Sequence, residues 1–125
     1  MTPSFNNNLL FPPPGIAVEE TITALIDHPA FTMEHIVSNG AASPEGFWYD
    51  QVRAEWVLLL RGEAALCFDS GETLRLNAGD HVVIPARCRH RVESCSPDAL
   101  WLALHYQEDT GGPPNTDDLV DARTK

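Results

Sequence analysis

The sequence predicts an all-β protein, a single-domain sandwich or barrel. Short apolar or alternating runs recur along the chain at nearly regular spacing. Gly, Pro, Asn or Asp punctuates the intervals between them, and no segment carries strong helical periodicity. At 125 residues the chain is long enough for one core and too short for two.

The elements follow in order. Residues 1–19 are rich in Asn and Pro and carry Phe11-Pro12-Pro13-Pro14-Gly15. Proline removes backbone donors and favours extended structure, so this reads as an arm lying on the domain or on a partner. Glu20 to Asp27 is a strand or a short helix, with Thr21, Ile22 and Thr23 favouring the strand. His28-Pro29 marks a break. Phe31 to Val37 alternates as a strand and ends at Asn39-Gly40. A loop of small residues follows, and from Trp48 the chain extends through Arg53 into Glu55-Trp56-Val57-Leu58-Leu59-Leu60-Arg61-Gly62. Glu63 to Phe68 and Leu74 to Leu76 form a hairpin about Asp69-Ser70-Gly71. After Gly79-Asp80, His81 to Ile84 is a β-branched strand closed by Pro85. Arg89 to Cys95 and Leu100 to Gln107 are the last two strands, so the barrel spans 20–107. Residues 108–125, with Gly111-Gly112-Pro113-Pro114 and further aspartates, carry too little apolar surface to fold and read as a flexible acidic tail.

Composition narrows the function. The formal net charge is -10, from 18 acidic and 8 basic residues. Phosphate recognition needs clustered Lys and Arg, so nucleic acid and anionic membrane are not expected partners. No apolar run approaches the ~20 residues of a membrane helix, and Met1 to Asn8 lacks the basic and apolar regions of a secretory signal. Cys67, Cys88 and Cys95 are an odd set without C-x-x-C spacing, which predicts reduced thiols and a cytoplasmic location.

Two stretches carry chemistry. Glu55 stands in an apolar strand closed by Gly62; Gly79 opens a second strand that ends at Pro85 and leads to His90. The hairpin between them can return the acid and the histidine to one place. This pair of motifs resembles the cupin superfamily, small β-barrels of jelly-roll type, over roughly residues 31–106. Glu55 and Gly62 match the glutamate and glycine of the first cupin motif, and Gly79, Pro85 and His90 match the second. The two histidines of the first motif are absent, their places falling on Tyr49 and Gln51 or on Trp48 and Asp50. Arg87 stands where the second motif has glycine, and Ser94 where it has asparagine. The sequence is most similar to an uncharacterised group of small single-domain cupins whose first motif reads Tyr-Asp-Gln followed by Glu-Trp-Val. That narrower likeness implies that the Asp50-Gln51 pair replaces the missing histidines.

The residues leave the site's composition open. If the strand is unbroken, Gln51, Arg53 and Glu55 share a face and Asp50 points away; a bulge reverses this. His90, Glu55 and an oxygen of Gln51 or Asp50 are donors for a divalent metal, zinc, iron, manganese or nickel. Such an ion would activate water or polarise a carbonyl. Without one, Glu55 beside His90 is an acid–base pair, with Tyr49 a donor at the rim. A third alternative is an empty pocket that captures a small-molecule ligand without catalysis. The resemblance implies lyase, isomerase or dioxygenase chemistry without selecting among them.

His81 is a displaced-ligand candidate. His35 alternates with Met33 and Val37. His105 points outward if the apolar face of its strand (Leu100, Leu102, Leu104, Tyr106) is the interior. Cys88 reads as structural. Trp56 and Trp101 have apolar neighbours on both sides, which predicts a homodimer through sheet faces, the assembly the resemblance also implies.

Overall fold

The computed structural model describes residues 3, 8–11 and 20–108. Eight strands form within them: β1 Thr21–His28, β2 Phe31–Val37, β3 Ala54–Arg61, β4 Glu63–Phe68, β5 Thr73–Asn77, β6 His81–Ile84, β7 His90–Cys95 and β8 Leu100–Tyr106. Every strand pairing is antiparallel. One sheet has the order β1-β2-β8-β3-β6 and the other β5-β4-β7. The fold is thus the all-β jelly roll that the sequence predicts. No helix among the described residues is long and apolar enough to cross a membrane. The tail expected after residue 108 lies outside the described residues, as does the N-terminal arm apart from residues 3 and 8–11.

Glu20 to Asp27, a strand or a helix by sequence, becomes β1 because β2 offers a complete antiparallel ladder from Thr21↔Val37 to His28↔Phe31. A bulge between Ala24 and Ile26 interrupts it, and the strand is exposed along its whole length as the sheet's edge. Between β3 and β4 the chain reverses at Gly62, with φ of 88°. A Cβ there would collide with Ser96 Oγ and stand 3.0 Å from the Ala99 Cα. Conformation and space therefore both require glycine.

The core lies between the sheets and includes Val57, Leu59, Leu66, Leu76, Ile84, Trp101 and Ala103. Trp101 is 4% exposed and its indole N–H donates to the buried Ser38 hydroxyl at 2.8 Å. This corrects two expectations. Trp101 is an interior residue, and the inward face of β8 is Trp101, Ala103 and His105 rather than the leucine face. The cause is position. β8 is the middle strand of the five-stranded sheet, and Met33, Trp56, Leu58, Leu102 and Leu104 make its outer face apolar too. Apolar alternation cannot mark the inside of such a strand.

Candidate functional site

The strand register sets out the site in rungs. Glu55 is level with His105 and Ile84, and His105 with Thr32. One rung further on, Ala103 separates Val57 from Glu34. Glu55, His105, Thr32 and Glu34 therefore point from the five-stranded sheet into the space between the layers. His90 comes from the facing sheet, where it is level with Phe68. The two layers enclose a cavity of about 440 Å³, lined by these residues together with Glu20, Tyr49, Gln51 and Arg53.

Glu55 and His90 meet across the layers. His90 Nε2 lies 3.5 Å from Glu55 Oε1, with the two side chains 6% and 11% exposed. The other oxygen of Glu55 is 3.7 Å from His105 Nε2, which is also 3.0 Å from Glu34 Oε1. One buried carboxylate thus stands between two imidazoles, and a second carboxylate holds the outer imidazole. His90 Nδ1 is 2.9 Å from the Cys88 carbonyl, which only accepts. Nδ1 therefore carries hydrogen, and Nε2 is left to face Glu55. Burial alone would lower the His90 pKa; the hydrogen bonds to Glu55 and Cys88 and the Glu55 charge outweigh it and raise the pKa above the ordinary value.

The segment before β3 is not the unbroken strand that the sequence suggests. It touches the sheets through one isolated bridge, Tyr49↔His90, and becomes regular only at Ala54. Tyr49 stacks on His90 with ring centroids 5.3 Å apart. Burial first, then the charges of Glu20, Glu55 and Glu34, push its phenol pKa up, so it stays a donor. Gln51 and Arg53 line the cavity with Glu55. Asp50 turns away and pairs with Arg87, Nε to Oδ1 at 2.8 Å. Arg53 spends its donors on Thr32 Oγ1 at 3.0 Å and the Pro29 carbonyl at 3.3 Å. Glu20 is pushed up by burial and then by Glu34.

No motif in the sequence singles out Glu34 or Glu20, and the condition that would turn His105 outward, a leucine-lined interior of β8, is not met. The signal for Glu34 was available: an acid in a half-buried strand, alternating with Ile36. The other candidates lie elsewhere. His81 is exposed, and its Nδ1 accepts the Trp56 indole N–H at 3.1 Å on the outer face. His35 is buried away from the cavity lining, and its Nε2 has no hydrogen-bond partner among the described residues. Burial, then Asp69, raises the Cys88 thiol pKa, the opposite of what a nucleophile needs.

Two imidazoles and two carboxylates are donors of the kind that zinc, iron(II), manganese and nickel accept. Their present arrangement pairs them with one another. The imidazole nitrogens are turned onto carboxylate oxygens, and among the described residues no three His, Cys, Asp or Glu side chains are arranged to hold a metal.

Comparison with known proteins agrees with the fold. The family model described as Cupin domain matches residues 34–105. A Ralstonia eutropha JMP134 structure, described as a candidate mannose-6-phosphate isomerase, is 34% identical with a TM-score of 0.78, covering 84% of this chain and 100% of that one. KdgF from a Halomonas species is 19% identical with a TM-score of 0.66, covering 85% and 96%. A cupin superfamily protein of Desulfitobacterium hafniense DCB-2 is 17% identical with a TM-score of 0.61, covering 72% and 79%. No curated protein sequence matches.

Proposed function

Because this chain belongs to the cupin family, we propose that its barrel transfers protons on a small, uncharged hydroxycarbonyl compound, with Glu55 and His90 as the acid–base pair. One observation carries the reading: a buried carboxylate is set between two imidazoles beside a cavity of about 440 Å³. Glu55 takes a proton from the carbon next to the substrate carbonyl. His90, whose charged form the hydrogen bonds to Glu55 and Cys88 favour, gives its Nε2 proton to the carbonyl oxygen. The enediol so formed collapses when a hydroxyl returns its proton to His90 and Glu55 delivers the carbon-bound proton to the neighbouring carbon. Tyr49 donates a hydrogen bond to the substrate, while His105, held by Glu34, faces the second oxygen of Glu55. Gln51 and Thr32 offer hydrogen bonds to hydroxyl groups.

The likeness to the Ralstonia protein supports isomerisation of a sugar-like molecule. Its phosphate does not suit this pocket. Glu20, Glu34 and Glu55 line the cavity against Arg53, two of whose N–H groups are bonded within the protein, and His90 in its charged form. An anion entering a field with this acidic excess is disfavoured.

The test is hydrogen exchange in heavy water with a panel of neutral hydroxyaldehydes and hydroxyketones. Exchange of the hydrogen beside the carbonyl is expected, falling by about 10²-fold or more in Glu55→Gln. Saturable binding with no exchange would make the protein a non-catalytic capture module instead.

A divalent metal is the second reading, favoured by the donor kinds of His90, His105, Glu55 and Glu34, with Gln51 as a neutral oxygen. It would open the site to lyase or dioxygenase chemistry. Stoichiometric zinc, iron, manganese or nickel in protein purified without an affinity tag, lost in His90→Ala, would establish it. Three free thiols support a reducing, cytoplasmic home.

A further inference from the structure

Two segments that do not belong to any strand hold His90 from opposite sides. On one side, Tyr49 exchanges both backbone hydrogen bonds with His90, at 2.7 and 3.1 Å, and stacks on its ring. On the other, the turn from Pro85 to Cys88 closes through the Cys88 N–H on the Pro85 carbonyl at 3.2 Å. That turn delivers the Cys88 carbonyl to His90 Nδ1.

The two segments are joined at Arg87. Its N–H donates to the Gln51 carbonyl at 2.7 Å. Its guanidinium grips Asp50 with two N–H groups, Nε to Oδ1 at 2.8 Å and Nη2 to Oδ2 at 3.2 Å. This is the two-point geometry that fixes orientation as well as distance. Arg87 does this from a backbone φ of 64°, a region that L side chains seldom occupy and that glycine occupies freely. Where the second cupin motif has glycine, this chain thus holds a left-handed backbone that suits glycine and places a guanidinium there.

We propose that the Arg87–Asp50 pair is a clamp that positions His90, fixing its Nδ1–H on Cys88 and its Nε2 on Glu55. Two departures from the cupin motifs, arginine for glycine at 87 and an acid at 50, are then one coupled device. The clamp matters to function only if His90 acts as described above, but its effect on His90 is measurable without any ligand. The side chains are 63% and 35% exposed, and exposed pairs add little to global stability. The clamp therefore shows itself in the geometry of the site, not in the melting temperature.

The experiment labels histidine nitrogens and reads the His90 imidazole shifts above its titration, where the two neutral tautomers are distinguished. The parent should hold the Nδ1–H form. Asp50→Asn and Arg87→Gly should each reduce that preference about three- to tenfold, the weight of one oriented charge pair. Melting of Arg87→Gly should be unchanged or raised, because glycine accepts the left-handed backbone. Exchanging the two residues, Asp50→Arg with Arg87→Asp, should recover part of the preference. The clamp is refuted if both single variants keep the parent tautomer ratio, or if the exchanged pair is no better than either of them.

Discussion

Burial draws the His35 imidazole towards its neutral form, against a hydrogen bond to the Leu9 backbone that favours the charged one. Its folded pKa is thus below the ordinary value, and its contribution to stability is lost as pH falls through about 6.5. His90 has the opposite sign. Its folded pKa is raised, so its contribution is present below about 6.5 and lost as pH rises through the folded value. Thermal melts across pH should therefore peak near the ordinary histidine range. His35→Leu should flatten the acid side, and Glu55→Gln the alkaline side. His35→Leu should also be neutral to about 1 kcal/mol stabilising at neutral pH, since it removes a buried Nε2 without a partner among the described residues at the loss of one hydrogen bond. A destabilisation above that size would show that His35 has a partner it needs. Single residues were legible in the sequence where a motif fixed them: Glu55, Gly62, Gly79, Pro85 and His90. Glu34 and Glu20 belong to no motif, and only the assembled rungs bring them to the cavity.

Strand identity was readable from β2 onward, because turn residues bound each run, whereas Glu20 to Asp27 is a strand or a short helix by sequence; strand facing was not readable. β8 shows why: with apolar residues on both faces, its alternation carried no sign. The Trp48 to Arg53 stretch shows the reverse problem. It looks extended in sequence, yet only Tyr49 bridges to a strand, because Asp50 and Gln51 are drawn to Arg87. The turns allow a graded test at this scale. Gly62 and Gly79 both have positive φ, 88° and 95°, but a Cβ at Gly79 meets nothing within 4 Å. Gly79→Ala should cost about 1–2 kcal/mol for the left-handed backbone alone. Gly62→Ala should cost clearly more, because Ser96 and Ala99 must also move. Urea unfolding that ranked the two equally would show that space at Gly62 is not limiting.

At the scale of the molecule, the five-stranded sheet is wider than its three-stranded partner and keeps an apolar outer face. Trp56, Leu58, Leu102 and Leu104 are half-buried there, and Val83 is 57% exposed. A second copy of the chain on this face is our proposal for assembly, with Trp56 rather than Trp101 as its aromatic anchor. Light scattering at micromolar concentration should report a dimer, and Val83→Asp should disperse it without lowering the melting temperature of the monomer. A monomeric parent would overturn this.

The proposed chemistry turns on Glu55 acting in a cavity lined by more acidic than basic side chains. The most direct measurement compares mannose with mannose 6-phosphate in heavy water, following loss of the hydrogen beside the carbonyl with the parent protein and with Glu55→Gln. Exchange should occur on the neutral sugar, fall about 10²-fold or more in the variant, and be weaker on the phosphate. Preference for the phosphate, or equal exchange by parent and Glu55→Gln, would contradict it.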